Sequence, residues 1–392
     1  MTTNLAMIPH FFDSTFLSSK VKFTKQQNYT FMNYIKHNLE CNSLYGLCRS
    51  IIINDNKEVV CYSPPKSMTY DFFMEREMNA DVVGMEFIEG TMINVFWHAE
   101  TWEFSTKSVL GGKNKFYTNA KTFKMMFDDA CKETNLNIET LDKTKCYSFV
   151  LQHPENRIVI PHDKPHLYLI SVYCIKNSFD ELGITNNVVI EHTHPLELQK
   201  WKCWEKTSIQ FPNIFDLSKI SISTMIYEHA CPNGNTPFDI VGIIFYNVKT
   251  GNRTKVRNIT YEKVKQLRGN QPTLEYQYLC LRQENNVSEF LKYYPETKPY
   301  ITICRNKLHL FTKELFTNYI SCFIKKEKKL IEYSGKYKCH MYNLHKLYTL
   351  ELKSKKMYIT FQLVKEYVNT LAPALLLHSL NYEMTRGHLQ HI

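Results

Sequence analysis

Apolar and polar positions change their spacing once along this chain. Up to about residue 275, short β-branched runs prevail: Ser50-Ile51-Ile52-Ile53, Met92-Ile93-Asn94-Val95-Phe96, Arg157-Ile158-Val159-Ile160 and Val241-Gly242-Ile243-Ile244-Phe245. Their length and composition predict strands. Turn signals separate them at Ser63-Pro64-Pro65, Gly111-Gly112 and Lys249-Thr250-Gly251-Asn252. One amphipathic stretch interrupts the strands, and Phe123, Met126, Phe127 and Ala130 predict a helix over 122–131 with one buried face.

From Tyr276 onward the spacing becomes helical. Phe316, Tyr319, Ile320 and Phe323 predict one helix. Val364, Tyr367, Val368 and Leu371 predict a second, starting near Thr360 and bent or ended by Pro373. The pattern predicts an α+β protein in two domains. Residues 1–275 form a domain of mostly antiparallel sheets, and residues 276–392 form an all-helical domain.

The chain has 392 residues, 44% of them hydrophobic, and can bury a core in each of two domains. Its formal charge of +10 is unevenly placed. Residues 301–392 hold 15 basic against 6 acidic side chains, so nearly the whole excess lies in the helical quarter. Two readings fit that asymmetry: a surface facing a polyanion, or a lysine-rich solvated helix face. Lys325, Lys326, Lys328 and Lys329 mark the basic run concerned.

Twelve cysteines are scattered with no pair at the two-residue spacing of zinc ribbons or redox motifs. They read as buried thiols of a reducing compartment. No basic segment leads into an apolar one at Met1-Thr2-Thr3-Asn4, and no apolar run reaches membrane-spanning length. The expectation is a soluble, cytoplasmic protein without a membrane partner. His192 and His194 could share a strand face, with Cys203 downstream, but lack a convincing third ligand, so no metal site is assigned. Trp201 and Trp204 read as core or interface anchors in preference to base-stacking platforms. Gly111-Gly112-Lys113 lacks the spacing of a phosphate loop and reads as a turn.

Several segments, in order, resemble the phage-type RNA ligases that repair tRNA, and more closely the RNA-ligase-like proteins of large DNA viruses, including giant viruses. Cys48-Arg49-Ser50-Ile51-Ile52 is similar to the strand preceding the family's nucleophile, and Tyr62-Ser63-Pro64-Pro65-Lys66 with Phe72-Phe73 resembles its Pro-Lys-Phe-Phe segment. The nucleophile motif, Lys-x-Asp/Glu-Gly, corresponds to Phe87-Ile88-Glu89-Gly90. Trp102-Glu103-Phe104-Ser105-Thr106-Lys107 resembles the second basic strand. The most specific match is the run from Tyr147 to Val159, ending Pro154-Glu155-Asn156-Arg157-Ile158-Val159. Val241-Gly242-Ile243-Ile244 stands where the family has Glu-Gly and a strand, and Lys255-Val256-Arg257 where it has Lys-x-Lys.

The resemblance implies a nucleotidyltransferase (ATP-grasp-like adenylation) domain followed by a helical domain. It also implies phosphate-contacting roles for Arg49, Lys107, Arg157, Lys255 and Arg257, although Arg157 has a structural alternative at the turn around Pro154 and Asn156. Glu89 and Gly90 are retained. Three charged positions are not: the nucleophile is Phe87, and Val150 and Val241 replace carboxylates. A phenyl ring has no lone pair to attack an α-phosphate, and magnesium is weakly held without carboxylates.

The leading expectation is a pseudoenzyme: an RNA-ligase-like protein that keeps a basic surface for RNA, tRNA included, or for a protein partner. One alternative is an active ATP-dependent RNA ligase with ATP and magnesium, using Lys66 or Lys107 as nucleophile and Asp239 as a metal ligand. Another is a viral structural or assembly protein on a ligase scaffold, placed in the host cytoplasm or the virion.

Overall fold

The computed structural model describes residues 2–4, 19–39, 44–116, 121–181, 186–230, 235–271 and 273–383. Contacts divide the chain into two compact units, Met1–Lys265 and Gln266–Ile392.

Among its described residues the first unit carries fourteen strands: β1 (Thr2–Asn4), β2 (Val21–Gln26), β3 (Tyr29–Tyr34), β4 (Arg49–Asn54), β5 (Val59–Cys61), β6 (Val82–Glu86), β7 (Thr91–His98), β8 (Thr101–Ser105), β9 (Lys145–Gln152), β10 (His166–Phe179), β11 (Asn186–His192), β12 (Ile214–Phe215), β13 (Gly242–Asn247) and β14 (Arg253–Arg257). They form three sheets, in the orders β1-β11-β10-β9-β7-β8, β12-β6-β13-β14 and β2-β3-β4-β5. Every ladder between these strands is antiparallel. Helices α1 (Tyr70–Arg76), α2 (Phe123–Glu133), α3 (Ile222–Ala230) and α4 (Ile259–Arg268) accompany them, and the division between units falls inside α4.

The six-stranded sheet is covered on both faces, so β9 is buried at every residue after Lys145. Cys146 packs among Ile51, Tyr62 and Phe96 on the side of the β2–β5 sheet. Tyr147, Phe149 and Leu151 point the other way, into a core with Met126 and Phe127 of α2. Thr122 caps α2 by accepting a hydrogen bond from the Met125 amide, and Phe123, Met126, Phe127 and Ala130 are buried as their spacing predicts. A third core joins Phe73 of α1, Met225 of α3 and Ile243 and Phe245 of β13.

The predicted strand over 157–160 is absent. The Val159 and Ile160 amides donate to the Glu89 carboxylate at 3.1 and 3.0 Å, and the Arg157 Nε donates to the Val159 carbonyl at 3.0 Å. Backbone groups satisfied by side chains are not available for a ladder.

The second unit is helical: α5 (Leu274–Gln283), α6 (Val287–Tyr293), α7 (Lys298–Tyr319), α8 (Gly335–Leu347), α9 (Phe361–Thr370) and α10 (Pro373–Leu380). The predicted stripe from Phe316 to Phe323 is corrected. The α-helix ends at Tyr319 and continues as a π-turn over Ile320–Ile324, so Tyr319 and Cys322 are buried while Phe316, Ile320 and Phe323 are half-buried. The wider turn rotates the buried face. Thr360 caps α9, Val364 and Val368 are its buried residues, and Pro373 opens α10. No described helix is long and apolar enough to cross a membrane.

The expectation of buried thiols holds only in part. Cys48, Cys61, Cys146, Cys304 and Cys322 are buried, and Cys339 is exposed. Cys41 and Cys231 lie outside the described residues.

Candidate functional site

A cavity of about 240 Å³ opens between two sheets of the first unit. Met92 of β7, Val150 of β9 and Ile170 of β10 line one side. Met85 of β6, Ile244 of β13 and the β14 side chains line the other. Phe87, Val150 and Val241 all face this cavity, although they are far apart in sequence. Gly90 and Gly242 let the chain turn tightly around it. Gly90 has φ +145°, and a Cβ there would meet the Leu151 carbonyl at 2.5 Å and Val150 at 2.6 Å.

Five cations line the cavity: Arg49, Arg253, Lys255, Arg257 and Lys265. Alternation along β14 puts residues 253, 255 and 257 on one face. Arg49 arrives by a different device. The β3–β4 register slips between Met32 paired with Ile51 and Asn33 paired with Arg49, so Ser50 is an extra, bulged residue with φ +119°. The bulge re-aims the strand at its start.

The cations are poorly compensated. Burial, then the neighbouring Arg253, pushes the Arg49 guanidinium down to about 10. Lys255 is pushed down to about 8, by burial first and then by Arg257, Arg253, Arg49 and Lys265. Its side chain is exposed while its amine stands among Arg257, Arg253, Arg49 and Lys265, so its charge is repelled without gaining a partner. The Nε groups of Arg253 and Arg257 are buried with no hydrogen-bond partner. Arg253 donates to the Pro65 carbonyl at 2.9 Å, and Arg257 pairs with Glu262. The Lys255 ammonium and Arg257 guanidinium lie 5.7 and 5.6 Å from the Phe87 ring centre, a cation–π arrangement.

Two carboxylates line the same cavity, and both accept hydrogen bonds from protein, although the Glu89 Oε2 is buried without a hydrogen-bond partner. Glu86 accepts from the backbone and side-chain nitrogens of Asn213 at 3.1 and 2.8 Å. Glu89 is buried and holds the Val159 and Ile160 amides, while Gln152 donates to its carbonyl at 2.9 Å. Burial raises the Glu89 pKa against the opposing amides and the Tyr261 hydroxyl. A magnesium ion prefers several free oxygen ligands, and valines at 150 and 241 supply none. This donor set does not fit the metal, and no described cluster of three or more His, Cys, Asp or Glu side chains could hold one.

The remaining candidates lie elsewhere. Lys66 lines a smaller neighbouring cavity of about 150 Å³. Lys107 sits 4.8 Å from the Tyr34 ring centre, its pKa lowered by burial and by Arg49 and Lys36. Arg157 is tied to the turn at Val159. Asp239 lines an adjoining cavity of about 490 Å³ with His162, His166 and His229, and that cavity shares Glu86, Phe87, Glu89 and Val241 with the first. His192 packs edge-on against Tyr173, whereas His194 caps the helical turn Pro195–Leu198 by accepting from the Leu196 amide at 3.1 Å. Trp204 is buried and stacks with Trp201. The sequence reading missed Arg253, whose signal was the Arg253-x-Lys255-x-Arg257 alternation, and Lys265 one helical turn beyond Tyr261.

The class defined by these features is a mixed α+β protein with antiparallel sheets followed by a helical unit, carrying a cation-lined cavity in the first. No protein-family profile matches the sequence. The chain is 24% identical over 270 residues to the immediate-early protein ICP-46 homolog of Invertebrate iridescent virus 6, a match covering 64% of this chain. It spans about half, 55%, of that relative's length. Among solved structures, a candidate ATP-dependent DNA ligase from Aquifex aeolicus aligns over 88% of this chain and 80% of its own, with 11% identity and a TM-score of 0.40. Naegleria gruberi RNA ligase bound to pyrophosphate aligns over 59% of this chain and 64% of its own, with 11% identity and a TM-score of 0.37. Likenesses at such scores say nothing of activity.

Proposed function

We propose that this chain is an RNA-ligase-like protein that has lost adenylylation at its nucleophile position and uses its retained cations to hold RNA phosphates. One observation carries the reading: Phe87, Val150 and Val241 line the same cavity as Arg49, Lys255 and Arg257. The motif resemblance assigns these six positions, together with Lys107 and Arg157, to one pocket, and the last two lie outside the lining of this cavity. The apolar replacements remove the attacking amine and the metal carboxylates, while the positive charge stays.

The helical unit adds a second cationic surface. A groove of about 530 Å³ between α5, α7 and α9 is lined by Arg282, Lys298, Arg305 and Lys365, with no acidic side chain among its described residues. Its Arg282 Nε is buried without a hydrogen-bond partner.

A displaced-nucleophile ligase is the second reading, and Lys255 is what favours it. Its amine lies beside the Phe87 ring and its depressed pKa leaves a fraction neutral near pH 7. In that chemistry the amine would attack the α-phosphorus, forming a P–N bond as pyrophosphate leaves and a proton passes to solvent. Incubation with α-labelled ATP and magnesium decides between the readings. The pseudoenzyme reading expects no covalent AMP adduct on the denatured protein, and an adduct mapping to Lys255 establishes the ligase. Salt-dependent binding of single-stranded RNA, weakened by charge removal at Arg305 and Lys365, tests the RNA assignment. Binding unchanged between low and high salt refutes it.

A further inference from the structure

We infer that the first unit's cavity takes a metal-free oligophosphate, the di- or triphosphate group of a nucleotide or of an RNA 5′ end, and that magnesium competes with its cations for that group. This rests on the proposed phosphate-binding role of the cavity and goes a step beyond it.

Three observations converge. The cavity offers five cations against two carboxylates, and both acids already accept hydrogen bonds from protein. Two buried guanidinium N–H groups, on Arg253 and Arg257, have nothing to donate to. Both Nε atoms are shut off from solvent and add to the cost of holding this cluster, which leaves the cavity-lining charge of Lys255, Arg257 and Lys265 to meet an incoming anion. The volume of about 240 Å³ leaves room for a phosphate group with part of its chain.

The mutual repulsion of the cations explains the preference for free ligand. Arg49, Arg253, Arg257 and Lys265 all lower the proton affinity of Lys255, with Glu86, Glu89 and Tyr261 the other titratable groups lining the cavity. A metal-free triphosphate relieves that repulsion with its full negative charge. A magnesium-complexed one brings two fewer negative charges and a divalent cation facing five others. Arg253, Lys255 and Arg257 thus occupy the charge-neutralising role that a divalent ion would otherwise fill, and the valines leave that ion no anchor.

Titration calorimetry of the full chain with ATP, pyrophosphate, 5′-triphosphate RNA and 5′-hydroxyl RNA tests this, in EDTA and in magnesium at matched ionic strength. The expected result is binding of the triphosphates in EDTA, weakened about tenfold or more when magnesium is added. Equal binding by ATP and the RNA triphosphate identifies a free nucleotide as a sufficient ligand, and binding by the RNA alone identifies its end. The Lys255→Met variant, altered at a solvent-touching side chain, should lose the preference for EDTA while keeping its fold by circular dichroism. Binding that requires magnesium overturns the inference and leaves the phosphate-binding reading standing. Binding of none of the phosphate-bearing probes under either condition overturns both.

Discussion

Lys255 gives the proposed anion site a pH signature that can be worked through quantitatively. In the free protein its ammonium is pushed down to about 8 from an ordinary 10.5, by burial and then by Arg257, Arg253, Arg49 and Lys265. A bound oligophosphate supplies the missing counter-charge, and full compensation would return the group to its ordinary value. The lysine is then mostly neutral in the free protein at pH 9 and charged in the complex, so binding takes up about 0.9 proton there and only about 0.1 at pH 7. Affinity falls as pH rises through 8, by at most about tenfold between pH 7 and pH 9 and by less as solvent screens this exposed side chain. The assay is calorimetry of metal-free ATP in buffers of different ionisation enthalpy. Lys255→Arg serves as the control, because a guanidinium stays charged throughout and carries the ligand's own protonation unchanged. Equal proton uptake by the wild type and Lys255→Arg at pH 9 would refute the reasoning, since the lysine would then be charged before the ligand arrives.

Three further outcomes are expected. Ser50→Gly should raise the melting temperature, because it relieves φ +119° and removes a buried hydroxyl without a partner; the net gain is about 1 kcal/mol after the added entropy of the unfolded chain, and an unchanged or lowered melting point contradicts the strain. Glu89→Ala should destabilise the first unit by about 2–4 kcal/mol in urea unfolding, since it leaves the Val159 and Ile160 amides unpaired, and a loss below about 0.5 kcal/mol would show that water replaces the carboxylate freely. Phe87→Lys should not restore labelling by α-labelled ATP, because Val150 and Val241 still offer the metal nothing and the new ammonium joins Lys255 and Arg257; a covalent AMP adduct at the substituted position would overturn that account.

Elements held by local patterning were legible in the sequence. The face of α2 and its Thr122 cap could be read because period and capping residue agree, and β4 and β7 because their β-branched runs coincide with their ladders, the bulge at Ser50 apart. The misread strand at 157–160 and the rotated face after Tyr319 failed for opposite reasons. In the first case a side chain some seventy positions away, Glu89, takes the backbone amides, and composition carries no trace of that. In the second, a π-turn shifts the helical phase within an otherwise regular pattern. The candidate site was legible as a set of motif positions. Arg253, the bulge that turns Arg49, and the unpartnered Nε groups of Arg253 and Arg257 were not, because they depend on how β4 and β14 are brought together.

The direction of the substitutions matters more than their number. On the proposed reading, the pocket lacks an amine at Phe87 and carboxylates at Val150 and Val241 that the resembled pattern carries. Losing one positive and two negative groups makes the cavity more electropositive than its catalytic counterpart, even though its nucleophile is gone. Simple decay of an unused active site would be expected to discard the buried cations as well, since each costs hydration and repels its neighbours. Arg49 and Arg253 are held in enclosed positions with lowered proton affinity and Lys255 is driven partly neutral, so the retained charge works against folding. A strained residue at Ser50 adds to that cost while directing Arg49 toward the cavity. Structure that opposes stability at several positions around one concavity is what the proposed anionic ligand would offset, since binding to the folded state alone stabilises it.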